Sequence, residues 1–273
     1  MTSLHAQGTI PGPTLAEFRE AQLTVAAAIQ RTPLELSRHL SGMLGSTVHL
    51  KCENLQRTGA YKLRGAYNML SKLTPEQRER GVVAASAGNH AQGVAFAASE
   101  LGIRSTIFMP LGAALPKVQA TRDYGARIEL RGLDFQTALQ AAVAHVAETG
   151  ATFVPPYDHH DIIAGQGTLG LEILDEQPDV ETILVPIGGG GLAAGGASAA
   201  KQRAAELGRE LRVIGVQASA AAAYPPSLEA GAPTTIQTFP TIADGIAVAR
   251  PGELPFEIIR ACVDEVVTVS DDD

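Results

Sequence analysis

The chain has 273 residues, 45% of them hydrophobic and 18% charged, with a formal net charge of −8. That balance describes a globular chain large enough for a sizeable core or two domains, and it leaves no cationic footprint for nucleic acid or an anionic membrane surface. Two cysteines, Cys52 and Cys262, cannot build a disulfide framework, no apolar run is long enough to span a bilayer, and no basic segment leads into an apolar one at the N-terminus. The expectation is a cytoplasmic protein without nucleic-acid or membrane partners.

In chain order, the first strand candidate is TVHL (47–50), and RTGAYKLRGAYNML (57–70) follows it. Leu63, Ala66, Tyr67, Leu70 and Leu73 recur at three- and four-residue steps, the apolar stripe of an amphipathic helix. Thr58 and Gly59 supply the turn that starts it. Lys62 stands at the head of this helix on the border of the stripe. The positive end of a helix dipole and partial burial both disfavour an ammonium ion, so the position suits a neutral, nucleophilic amine. The plainer alternative is a lysine that lays its stem on apolar surface and its head in water.

The strand GVVAAS (81–86) leads into SAGNHAQG (86–93), which opens a helix near Asn89. Ser86, Gly88, Asn89 and His90 surround that helix N-terminus, where backbone N–H groups can hold a carboxylate or phosphate; Ser86 or Asn89 could also serve as a plain N-cap. The helix carries the stripe Ala91, Val94, Ala95, Ala98 and Leu101 and closes at Gly102. The strands STIFM (105–109) and RIEL (127–130) come next, then a helix opened by Asp134, with Phe135, Ala138, Leu139, Ala142, Val143 and Val146 on one face and Gly150 as its stop.

Beyond the strand ATFVP (151–155), YDHHD (157–161) sets two histidines between two aspartates. Adjacent side chains do not converge on one ion without a special loop, so the pattern is discounted as a metal site. TILVPI (182–187) runs into VPIGGGGLAAGG (185–196), and a helix continues to Gly208. Four consecutive glycines after a strand and before a helix let backbone amides close around a phosphate. Gly188, Gly190 and Ala193 also satisfy the dinucleotide pattern G-x-G-x-x-G/A. That pattern needs an acidic residue at the end of the next strand, where RVIGV (212–216) meets Gln217 and Ala218, so a single phosphate is favoured. EVVTV (265–269) is the last strand candidate. The alternation of strands and helices predicts an α/β chain with doubly wound parallel sheets covered on both faces, and ligands at the loops beyond the strands' carboxyl ends.

An amine, an anion loop and a phosphate loop are together what pyridoxal phosphate requires. KCENLQRTGAYKLRGAYNML, ASAGNHAQG, IAGQGTLGLEIL, VPIGGGGL and TIADGIAV, in this order from about Thr32 onward, resemble the fold type II pyridoxal-phosphate enzymes, specifically threonine dehydratases and the related serine racemases. The resemblance implies that Lys62 is the Schiff-base lysine, Tyr61 the aromatic against the cofactor ring and Asn89 the partner of the pyridoxal 3′-oxygen. It assigns Ser86, Gly88, Asn89 and His90 to the substrate carboxylate, Gly188, Gly189, Gly190, Gly191 and Leu192 to the phosphate, and Gly245 to a backbone contact with the cofactor. It also implies a discontinuous large domain from 1–83 and 154–273, a small substrate-loop domain at 84–153, and a homo-oligomer.

Two departures bear on the reaction. Racemases of this type carry a second serine as an acid/base where this chain has Ala87, and a Glu and an Asp at a metal site where it has Gln217 and Ala223. Elimination is therefore expected over racemisation, converting L-threonine, and L-serine with it, to a 2-oxo acid and ammonia. Family members also continue beyond a strand like EVVTV to a residue that hydrogen-bonds the pyridine nitrogen. The resemblance therefore implies a C-terminus truncated at Asp273, with impaired stability and activity.

Overall fold

A computed structural model describes residues 10–273 of the chain. In chain order its main elements are α1 (Leu15–Val25), β1 (Leu34–Leu36), α2 (Arg38–Leu44), β2 (His49–Lys51), α3 (Lys62–Ser71), α4 (Pro75–Arg80), β3 (Val82–Ala85), α5 (Asn89–Glu100), β4 (Ser105–Met109) and α6 (Leu115–Asp123). There follow β5 (Arg127–Leu130), α7 (Phe135–Thr149), β6 (Thr152–Phe153), α8 (His160–Glu176), β7 (Thr182–Pro186), α9 (Gly191–Glu206), β8 (Arg212–Ala218), α10 (Tyr224–Ala230), α11 (Glu253–Cys262) and β9 (Glu265–Val269). Two compact units divide them: one holds the described residues up to Gln22 together with Val154–Asp273, the other Leu23–Phe153.

The Leu23–Phe153 unit is built on a parallel sheet in the order β5-β4-β3-β6. Its central strand β3 is buried throughout, as expected of a strand covered on both faces. Val83, Ala85 and Phe108 pack with Ala142 of α7 and with Ala151 as one cluster. The bounds of α7 follow from local chemistry: the Asp134 carboxylate accepts the Thr137 N–H at the start, and Gly150 turns left-handed at the end. The sequence run at 47–50 was expected to join the parallel alternation. Instead β2 pairs antiparallel with β1, Leu34 opposite Lys51 and Leu36 opposite His49. Three-residue strands carry too little periodicity to reveal their partner.

The second unit carries the parallel sheet β7-β8-β9. Phe18 and Ala21 of α1 form a buried cluster with Ala164 and Leu171 of α8 and Ala199 of α9. The glycines of AGQGTLG make this packing possible. A Cβ on Gly167 would lie 2.2 Å from the Phe18 ring, and one on Gly170 would lie 2.4 Å from the Gly196 carbonyl oxygen. In each unit the loop singled out from sequence leaves the carboxyl end of a parallel strand: 86–88 follows β3, and 187–190 follows β7. Among the described residues no helix is long and apolar enough to cross a membrane.

Candidate active site

In the Leu23–Phe153 unit, Lys62 is the first residue of α3, with Tyr61 as N-cap and no side-chain cap. Lys62 is half-buried, and its Nζ stands 5.3 Å from the centroid of the Tyr61 ring. Buried polar groups fix the approach to the helix. Gln56 accepts the Gln30 N–H at 2.8 Å and donates to the Gln30 carbonyl at 2.7 Å, and Gly59 turns left-handed at φ 70°. Two residues beyond Lys62, the fully buried Arg64 donates through Nε and Nη2 to the two oxygens of Glu53, at 2.9 and 2.8 Å. Thr32 Oγ1 donates to the same carboxylate at 2.5 Å, and Lys51 Nζ donates to the Thr32 carbonyl at 2.7 Å. An arginine fully removed from water is tolerable only with such a bidentate partner. The helix is therefore buried on the face opposite the apolar stripe as well, through Arg64 and Asn68, which the periodicity did not reveal.

The helix α5 starts at Asn89 with Gly88 as N-cap, and no side chain caps it. Ser86 instead folds its own loop: its N–H donates to the Phe108 carbonyl, and its Oγ accepts the Gly88 N–H at 3.1 Å. Neither Ser86 nor Asn89 is thus the plain cap that the sequence allowed. The first N–H groups of α5 are without an intrahelical acceptor, as at any helix start. Asn89 is exposed, whereas the His90 side chain is buried, so His90 offers an anion only its backbone. Gly93, which sequence reasoning passed over, brings α5 against α3. A Cβ there would lie 3.1 Å from both the Lys62 carbonyl carbon and the Leu63 nitrogen. A glycine interrupting an alanine-rich helix was the signal available.

In the other unit the glycine run bridges β7 and α9. Gly190 is the N-cap of α9 at φ 105°, and no side chain caps the helix. Each glycine is also closely covered. A Cβ on Gly188 would meet Ile246 at 3.1 Å, on Gly189 the Tyr157 ring at 2.3 Å, on Gly190 the Tyr224 hydroxyl at 2.0 Å, and on Gly191 Tyr157 at 2.9 Å. The run is therefore a close-packed seat, not a flexible turn. Leu192 is buried in the first turn of α9. Gly245 is exposed, with open space around it, and its neighbour Ile246 is the residue packed on Gly188. Burial, reinforced by neighbouring Asp158 and opposed by Arg250, holds the Tyr157 phenol above its usual pKa.

The end of β8 disposes of two readings. Gln217 is fully buried; its Nε2 donates to the Ile187 carbonyl at 3.2 Å and toward the Ala221 carbonyl at 3.5 Å, and its Oε1 accepts the Tyr224 N–H at 2.8 Å. A buried amide so engaged cannot take a ribose hydroxyl in place of the acid that a dinucleotide fold needs. Ala223, also buried, has no donor atom for a metal. The YDHHD stretch resolves into separate structural tasks. Asp158 accepts the Glu253 and Leu254 N–H groups at the start of α11, His159 accepts the Asp161 N–H at the start of α8, and His160 approaches Glu17 at 3.4 Å.

Comparison with known proteins agrees with this chemistry. The chain is 48% identical over 260 residues to an L-threonine ammonia-lyase of Thermotoga maritima, covering 95% of this chain and 64% of that relative, so it spans less than two thirds of the relative's length. Among solved structures, the processed threonine deaminase isoform 2 of Solanum lycopersicum superposes with a TM-score of 0.88 at 36% identity, covering all of this chain and 80% of that one. Maize serine racemase superposes with a TM-score of 0.90, also at 36% identity, over 96% of this chain and 78% of its own. The family model described as pyridoxal-phosphate dependent enzyme matches residues 25–273, which takes in Lys62, the 86–90 loop and the glycine run, and the chain belongs to that family.

Proposed function

We propose that this chain carries the catalysis of a threonine ammonia-lyase: L-threonine gives 2-oxobutanoate and ammonia, and L-serine gives pyruvate and ammonia, the water lost from the β-carbon being returned when the enamine is hydrolysed. The observation that carries the reading is Lys62, half-buried at the uncapped head of α3, in a unit whose anion loop has alanine at position 87. The residues present fit pyridoxal phosphate. The uncapped start of α9, with glycine wherever a Cβ would collide, suits a phosphate held by backbone N–H groups. Lys62, Tyr61 and Asn89 would hold the aldehyde, ring and 3′-oxygen, Gly188 to Leu192 would hold the phosphate, and the Gly245 backbone would be a further cofactor contact.

Bound there, the cofactor supplies an electron sink for the pair left on the substrate's α-carbon. The chain's own residues do the rest. Ser86, Gly88 and the backbone N–H groups of Asn89 and His90 bind the substrate carboxylate and so orient the α-carbon. Lys62, which would hold the cofactor's aldehyde, would also take the α-proton at Nζ as general base. Loss of the β-hydroxyl as water and hydrolysis of the released enamine complete the balance. Racemisation needs a second acid/base on the opposite face of the α-carbon, and the methyl group of Ala87 has no proton to give.

The same proposal includes residues 84–153 as the substrate-loop domain, a large domain of 1–83 with 154–273, a homo-oligomer measurable by light scattering, and a cytoplasmic setting. The deciding experiment records the visible band of lysine-linked cofactor in the purified parent and in Lys62→Ala, with 2-oxobutanoate measured alongside. The band and the product should appear only in the parent. An equal band in Lys62→Ala, or D-allothreonine, the α-epimer of L-threonine, as the parent's main product, would refute the reading.

A further inference from the structure

Tyr224 is the group under the glycine run whose placement the reaction does not itself explain. It is fully buried at the start of α10, and three features fix it: its N–H donates to Gln217 Oε1, its ring lies 6.4 Å from that of Phe256, and its hydroxyl reaches the glycine run. That hydroxyl donates to the Gly189 carbonyl oxygen at 3.4 Å, and the Gly252 N–H donates to the same oxygen at 3.0 Å. No cis peptide occurs among the described residues, so the carbonyl of Gly189 and the N–H of Gly190 point in opposite directions across one planar unit. Two donors that draw the carbonyl to one side therefore turn the Gly190 N–H to the other. Gly190 could not carry a side chain here, both for its φ of 105° and because a Cβ would lie 2.0 Å from the Tyr224 hydroxyl.

We propose that Tyr224 is a positioning residue for phosphate recognition: its hydroxyl sets the 189–190 peptide plane so that the Gly190 N–H faces the phosphate of the cofactor. This rests on the pyridoxal-phosphate reading above and assigns the discrimination for phosphate to one buried phenol and its anchor Gln217. Burial first, and the nearby Tyr157 and Asp158 second, raise the phenol's pKa far above its ordinary value, so it stays a donor at every pH the enzyme meets.

The test compares binding of pyridoxal phosphate and of pyridoxal, which lacks the phosphate, to the cofactor-free protein, for the parent, Tyr224→Phe and Ser227→Ala. Ser227 is the control because it is buried in the same helix and its hydroxyl donates to the Ala223 carbonyl and accepts the Thr234 N–H, away from the glycine run. Tyr224→Phe should weaken pyridoxal phosphate about 3- to 10-fold, the range of one neutral hydrogen bond, leave pyridoxal unchanged and shift the 31P resonance of the bound phosphate. Ser227→Ala should change neither ratio nor resonance. An equal loss for both ligands in Tyr224→Phe, or no loss for either, overturns the assignment. A parent that binds pyridoxal phosphate no better than pyridoxal overturns it from another side, because the glycine run then holds no phosphate. A parent that binds neither refutes the cofactor reading and takes this proposal with it.

Discussion

Gly93→Ala is a minimal perturbation of the lysine's setting, since it adds one methyl group on α5 and touches no reacting atom. Helix propensity alone favours the change by about 1 kcal/mol. Against that, the new Cβ would stand 3.1 Å from the Lys62 carbonyl carbon and the Leu63 nitrogen and 3.3 Å from the Lys62 Cβ. These are backbone neighbours, and they cannot rotate away as a side-chain tip can. Nor is α3 free to retreat, because Arg64 is locked to Glu53 and the helix is buried on both faces. Overpacking of this kind costs about 1–3 kcal/mol, so the net effect is a destabilisation of about 1 kcal/mol, or a fall in Tm of about 2–4 °C. A displacement of a few tenths of an ångström at Lys62 should lower kcat about 10-fold, on the scale where a misplacement of about 1 Å costs about 100-fold. The measurements are thermal melts and, for the proposed reaction, initial rates of 2-oxobutanoate formation. Gly196→Ala in α9 is the matched comparison, since its Cβ would meet nothing within 4 Å, and it should gain stability by up to about 1 kcal/mol. A Gly93→Ala protein that gains stability like Gly196→Ala and keeps the parent's kcat would show that α3 yields and that its close approach to α5 does not aim the lysine.

Arg64→Met should destabilise the Leu23–Phe153 unit by about 3–5 kcal/mol in urea unfolding, because it strands the Glu53 carboxylate, whose side chain is only 11% exposed. Adding Glu53→Gln should restore a large part of that loss; a single variant costing under about 1 kcal/mol would remove the pair from any role in holding α3. Cys262 is fully buried, donates to the Ile258 carbonyl, and has its thiol pKa pushed up to about 12 from 9.0 by burial. The folded state therefore keeps a proton that the unfolded chain gives up first, so this stability is present below pH 9 and is lost as pH rises toward 12. The Cys262→Ala variant should close on the parent by about 1.4 kcal/mol between pH 8 and pH 10, and a constant gap would contradict the burial argument. Thiol titration of the native protein should modify the half-buried Cys52 and spare the buried Cys262.

What the sequence made legible was local. Asp134 and Gly150 bound α7 as their chemistry demands, and STIFM, RIEL and EVVTV are strands residue for residue. What stayed hidden depended on partners distant in the chain. Arg64 reads as a solvent-facing residue until Glu53 is beside it, and Tyr157 and Tyr224 carry no signal until the glycines lie against them. The glycine run shows why this matters for inferring function. Four glycines in a row suggested a phosphate loop from sequence, yet Gly189, Gly190 and Gly191 are already required by the protein atoms packed on them, and Gly188 is closely covered. Glycine content alone is then no argument for a ligand, since a tightly packed strand-to-helix turn would select the same residues. The argument for phosphate rests instead on what the packing achieves: a helix start with no side-chain cap, and a Gly189 carbonyl drawn away by Gly252 and Tyr224. Two donors satisfy both lone pairs of that carbonyl oxygen, which any buried turn would welcome; under the proposal they also leave the next N–H turned to the opposite side, where an anion can take it.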